Sequence, residues 1–181
     1  IKEIPLTVTI VDGGGATSGD TVVDVDPPTV SLSGDADVMN GINKLVLGTI
    51  DLAMVDAGYE KAYPIILPDN TEILSGVREA QVSVQIKGLA TKKMEVTHFA
   101  CENVTSGYTA KVITESMEVT VRARPEILDR IKPENLRAVA DLTDIGETVG
   151  VFSSAVKVHI DGFPGAGVVG EYKITVSLSA S

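Results

Sequence analysis

Several stretches of this 181-residue chain hold the residue types that phosphate binding, metal binding or nucleophilic catalysis uses. Asp12-Gly13-Gly14-Gly15, followed by Ala16-Thr17-Ser18-Gly19-Asp20, is a glycine-rich loop after a strand, the setting in which backbone N–H groups can cradle a phosphate. It lacks the lysine such a loop needs, no helix opens after it, and Asp12 and Asp20 repel an anion. A flexible strand connection is the expectation. Asp24 and Asp26 share a strand face, and Asp35 and Asp37 sit near a helix start. Such hard oxygen ligands suit calcium or magnesium, but no twelve-residue loop gathers six of them. Asp51 and Asp141 each close a strand, where a carboxylate ordinarily caps local backbone N–H groups. His98 and Cys101 lie three apart, which on one strand puts them on opposite faces, so a Cys-His nucleophile pair is not expected. Asn103-Val104-Thr105 fits the glycosylation sequon, and Gly162-Phe163-Pro164-Gly165-Ala166-Gly167 reads as a turn. No catalytic, cofactor-binding or metal-ligating residue is therefore assigned, and no cofactor is expected.

Composition narrows the function classes. With Lys+Arg 15 against Asp+Glu 25, the net charge is −10, which disfavours nucleic acid and anionic lipid as partners. One cysteine excludes an intramolecular disulfide and a multi-cysteine zinc site. Four tyrosines, three phenylalanines and no tryptophan leave little for stacking on sugars. The acidity is uneven: residues 1–90 carry 13 acids and 5 bases, residues 91–181 carry 12 and 10. No apolar run is long enough to span a membrane as a helix, and no signal peptide is visible. A chain that begins at Ile1 reads as a piece of a longer protein.

The elements that position these residues are strands. Val, Ile and Thr together number 56 of 181, and β-branched residues favour sheets over helices. Apolar and polar residues alternate at Leu6-Thr7-Val8-Thr9-Ile10, Val30-Ser31-Leu32-Ser33, Val82-Ser83-Val84-Gln85-Ile86 and Ile174-Thr175-Val176-Ser177-Leu178, so each sheet buries one face. The pattern recurs after about ninety residues. Val30-Ser31-Leu32 falls on Val119-Thr120-Val121, Ile42 on Ile131, and Asp51-Leu52 on Asp141-Leu142. The expected organisation is two tandem, mainly antiparallel all-β domains, 1–89 and 90–181, each with one short helix. Strands are expected at 4–11, 21–26, 29–33, 45–52, 60–67 and 80–88, and again at 93–100, 109–114, 117–122, 136–142, 154–160 and 171–179. Helices are expected at 36–42, capped by Asp35, and at 125–130. Turns fall at Asp56-Ala57-Gly58, Pro68-Asp69-Asn70 and 161–165. The expected core is Val30, Leu32, Ile42, Leu52, Val82, Val84 and Ile86, with Val119, Val121, Ile131, Leu142, Ile174 and Val176 in the second copy.

The segment Val23-Asp24-Val25-Asp26-Pro27-Pro28-Thr29-Val30-Ser31-Leu32-Ser33-Gly34, followed by Ile50-Asp51-Leu52 and Ile65-Ile66-Leu67-Pro68, resembles the YbbR-like domain family. The second copy departs from the motif, with Glu115-Ser116 for the prolines and Ala123 for the glycine, but keeps Ala140-Asp141-Leu142. The resemblance implies tandem extracytoplasmic modules behind an N-terminal membrane helix, on a fold likened to the β domain of a general-stress ribosomal protein. It also implies a bacterial regulator that accompanies a membrane diadenylate cyclase, the enzyme making cyclic di-AMP. The family contributes no catalytic residue. The function expected is thus a non-catalytic regulatory or protein-interaction module at the extracytoplasmic face of the cell membrane. The alternatives are a surface-structural, adhesin-like module and a small-ligand-binding domain.

Overall fold

The computed structural model describes residues 1–56 and 58–181. The chain is mainly β, and it divides into two compact units: Ile1–Asp12 with Thr17–Lys87, and Gly13–Ala16 with Gly88–Ser181.

The first unit runs β1 (Lys2–Val11), β2 (Thr21–Asp26), β3 (Thr29–Gly34), α1 (Ala36–Asn40), β4 (Leu45–Asp51), β5 (Gly58–Pro64), β6 (Thr71–Ile73) and β7 (Glu79–Ile86). One sheet has the order β4-β1-β3-β6 and the other β2-β7-β5. β1 pairs antiparallel with β3 and parallel with β4, its register shifting between Thr7 and Thr9. Period-two alternation turns Ile4, Leu6, Val30 and Leu32 to one side, where they pack with Met39 of α1, Leu45 and Ala80.

The second unit runs β8 (Ala90–Val96), β9 (Phe99–Glu102), β10 (Tyr108–Val112), β11 (Met117–Ala123), α2 (Pro125–Leu128), β12 (Leu136–Asp141), β13 (Gly150–Ile160), β14 (Gly167–Val169) and β15 (Tyr172–Ala180). Its sheets have the orders β10-β15-β13-β12-β9 and β14-β11-β8. Met94, Val96, Val119, Val121, Leu128 and Ile131 form one buried cluster, and Ala140, Leu142, Ile174 and Val176 another.

The pairings of the first unit recur in the second. β1·β3 and β1·β4 correspond to β8·β11 and β9·β12, and β2·β7, β5·β7 and β3·β6 to β10·β15, β13·β15 and β11·β14. The chain interrupts itself at Thr97–His98 between β8 and β9, ninety positions after the register shift in β1. Among the described residues, the second unit adds the pairing β12·β13.

Several expectations are corrected. The strand expected at 93–100 is two strands, because β9 leaves the sheet of β8 to pair with β12. β13 begins at Gly150 rather than 154, and β6 and β14 add two short strands beyond those expected. The helices end sooner, at Asn40 and Leu128. Asp35 occupies the N-cap position of α1 without a side-chain cap bond. Ile42 and Ile86 are half-buried rather than core, Ile42 lying beyond α1 and Ile86 at the end of β7, whereas the other expected core positions are buried. The turn expected at Asp56-Ala57-Gly58 includes Ala57, which lies outside the described residues. Among the described residues no helix is long and apolar enough to cross a membrane.

Candidate functional site

The glycine-rich stretch is a folded turn rather than a flexible connection. Gly13 and Ala16 exchange backbone hydrogen bonds of 2.9 and 3.1 Å, and Gly14 and Gly15 take φ of 58° and 78°, which glycine adopts without strain. Asp12 accepts from Ser18 N–H at 2.8 Å, and Asp20 accepts from the N–H and hydroxyl of Thr17. Both carboxylates are thus engaged in shaping their own loop. Within the second unit, Arg122 is 1% exposed and donates to the carbonyls of Gly14 and Gly13 at 2.8 and 3.2 Å. A Cβ on Gly15 would collide with the Arg122 carbonyl oxygen, so this approach requires glycine. The turn therefore offers its carbonyls to a cation of the protein, the opposite polarity to a phosphate cradle.

The other singled-out carboxylates stay local or exposed. Asp24 and Asp26 are exposed along β2. Asp51 accepts from Ala53 N–H at 2.9 Å, and Asp141 makes the equivalent bond to Thr143 N–H at 3.0 Å. The same side-chain turn thus closes β4 and β12, as expected for a strand-ending aspartate. Asp141 further accepts from the Thr143 hydroxyl and from the Asn103 amide at 2.9 Å. These bonds, the Thr143 hydroxyl foremost, hold its carboxyl down at about 2. The sequon residue Asn103 is accordingly bonded to Asp141, with φ of 57°.

His98 and Cys101 do not form a pair. His98 is exposed between β8 and β9, whereas Cys101 packs against the cluster around Ala140, Leu142, Ile174 and Val176. Burial pushes the Cys101 thiol up, which reduces the nucleophilic thiolate. Among the described residues no group of three or more His, Cys, Asp and Glu could hold a metal ion.

Three surface features lie outside the sequence expectations. On β5, Tyr59 and Tyr63 share a hydroxyl–hydroxyl bond of 2.8 Å; burial first, then this bond, raises Tyr63 to about 12. In the first unit, a groove of about 440 Å³ opens beside the edge strand β6, lined by Ile65, Leu67, Ile73 and Val77. The adjoining Ile66 and Leu74 are 80% and 53% exposed. In the second unit, a cavity of about 480 Å³ lies between β13 and the 168–173 stretch. Clustered Ile and Leu around Pro68 signal the groove, but the same residues read equally as a buried strand.

No family model matches the chain, and no curated protein does. It is similar to two solved YbbR-like structures. The YbbR-like domain of the lmo2119 protein from Listeria monocytogenes is 16% identical, with a TM-score of 0.40, over 51% of this chain and 95% of that one. A YbbR-like protein from Streptococcus pneumoniae is 17% identical, with a TM-score of 0.35, over 99% of this chain and 94% of that one.

Proposed function

We propose that the chain is a pair of YbbR-like repeats, 1–89 and 90–181, acting as a non-catalytic protein-interaction module. Its parent would be a membrane-anchored bacterial regulator, with these repeats at the extracytoplasmic face and a diadenylate cyclase as partner. The observation that carries the contact role is the apolar groove beside β6, with Ile66 and Leu74 standing exposed next to it. Exposed aliphatic side chains around a groove at a sheet edge suit protein recognition better than chemistry on a polar substrate. The engagement of Asp12, Asp20, Asp51 and Asp141 in their own turns supports the same reading. The membrane location and the cyclase rest on the sequence resemblance.

The test is co-expression of the parent protein with the cyclase of the same organism, with residues 1–181 present or deleted. Deletion is expected to change cyclic di-AMP levels and to weaken co-purification. Equal levels and equal recovery in both cases would remove this function from the two repeats.

A further inference from the structure

β13 outruns one of its neighbours. Its pairing with β15 ends at Val156–Tyr172, while its pairing with β12 continues to Leu136–Ile160. The chain leaves β13 at Ile160, pairs as β14 with β11 in the other sheet, and only then returns as β15. On the β15 side, residues 157–160 therefore have no hydrogen-bonded strand partner among the described residues.

The direction of the backbone groups there follows from β12. Ala138 N–H donates to His98 O and Leu142 N–H to Glu102 O, so the even-numbered residues of β12 bond towards β9. Alternation then makes Arg137–His159 and Val139–Lys157 the hydrogen-bonded pairs with β13. The N–H and C=O of Val158 and Ile160 point the other way, into the gap left by β15.

That gap is the cavity of about 480 Å³. Val156, Val158 and Val168 line its apolar side. Tyr172 holds one wall in place, its hydroxyl donating to Val169 O at 2.6 Å and accepting from Thr120 N–H at 3.0 Å. Lys157 and Lys173 stand at the solvent side with His159 and one acid, Glu171. Lys173 pairs with Ala155, which makes Lys157 its diagonal neighbour on the same face. Two ammonium groups so placed repel each other and are relieved by an anion between them, although Asp141 attends to Lys157 from the β12 side.

We propose that this notch takes an extended segment of a partner protein as a short added strand antiparallel to β13, one that alternates aliphatic and acidic residues. Strand geometry dictates the alternation: one set of side chains meets Val156, Val158 and Val168, the other meets Lys157 and Lys173. Four open positions on β13 correspond to about 13 Å of strand, so the contact is brief and exchanges fast. The proposal rests on the interaction reading above and gives it a second surface, apart from the groove beside β6.

The test is an NMR titration of the isotope-labelled 181-residue chain with an N-acetylated, C-amidated hexapeptide alternating valine and glutamate. The Val158 and Ile160 amides are expected to shift and to gain protection from exchange. A valine–lysine peptide should bind at least about tenfold more weakly, since like charges oppose each other across the contact. A peptide N-methylated on its valines should not bind, and this arm uses the unaltered protein, so it stands whatever the variants do. The exposed-site double variant Lys157→Glu, Lys173→Glu should reverse the preference between the two peptides.

Equal binding of both peptides, shifts confined to other edges such as β5 or β10, or the same shifts from acetate alone would overturn the proposal. So would shifts at Val158 that depend on protein concentration without peptide, which would assign the notch to a second copy. If the notch fails while the cyclase still co-purifies, the function stands without this surface. If the peptide binds while the cyclase does not co-purify, the notch serves another partner.

Discussion

At the scale of single residues, the reactive groups of this chain do structural chemistry, and their titration should show it. Asp141 is exposed, yet the Thr143 hydroxyl, then the Asn103 amide, then Thr143 N–H hold its carboxyl at about 2. An unfolded aspartate titrates near ~4. The folded value is the lower one, so the stabilisation is present above about pH 4 and is lost as pH falls towards about 2. A carboxyl-carbon NMR titration should give an Asp141 midpoint at about 2, and Thr143→Val should move it up towards the ordinary range. An unchanged midpoint would show that the hydroxyl bond is not the leading cause. Tyr63 works in the opposite sense. Burial and the bond to Tyr59 raise its phenol to about 12, above the ordinary value of about 10. Its contribution is therefore complete below about pH 10 and lost as pH rises through about 12. In an ultraviolet titration of the four tyrosines one should ionise last, and Tyr59→Phe should bring that step down.

At the scale of elements, alternation carries most of the information. Val82 and Val84 are completely buried in β7, which is flanked by β2 and β5. Val84→Ala should lower stability by roughly 2–4 kcal/mol, read as a shift in denaturant midpoint. An unchanged midpoint would mean that the opposite face of β7 forms the core. Long alternating strands are legible because a period of two sustained over about six residues fits a strand and not a helix. β6 and β14 are not, since three residues such as Thr71-Glu72-Ile73 or Gly167-Val168-Val169 are too few to alternate, and they follow proline- and glycine-rich turns. The split at Thr97–His98 is hidden because strand-like residues continue through it; the exchange of sheets lies in the partners, not in the local pattern. Arg122 escapes the pattern for a related reason. It falls on the polar face of β11 by alternation, yet it is buried because Gly13–Ala16 packs on that face. Of the candidate site, Asp51 and Asp141 are legible as local caps because an aspartate closing a strand finds its backbone donor within two residues. The notch at Val158 is not, because it depends on where β15 stops relative to β12.

At the scale of the whole molecule, the second unit is not a continuous stretch of sequence, and that has an energetic consequence. Gly13–Ala16 belong to the same compact unit as Gly88–Ser181. Their carbonyls take hydrogen bonds from the guanidinium of Arg122, which is 1% exposed. The fit is close on both sides: a Cβ on Gly167 would collide with the backbone nitrogen of Gly15, so neither glycine tolerates a side chain without a shift. A fragment cut to residues 88–181 keeps every strand of the unit but loses these acceptors. The guanidinium meets water where the turn had packed, but two charge-assisted hydrogen bonds and the packing of the turn are lost, which is destabilising by roughly 2–4 kcal/mol. The fragment should therefore unfold at a lower denaturant concentration than the second unit does in the whole chain, followed by amide signals of β11 and β15. Replacing the charge by an apolar side chain of similar length tests the cause. Arg122→Met should destabilise the whole chain, where it removes a donor to the glycine carbonyls, and change the fragment little, where the guanidinium meets water. A fragment as stable as the unit in the whole chain, or an Arg122→Met effect of the same size in both, would show that the glycine turn is not an integral part of the second unit.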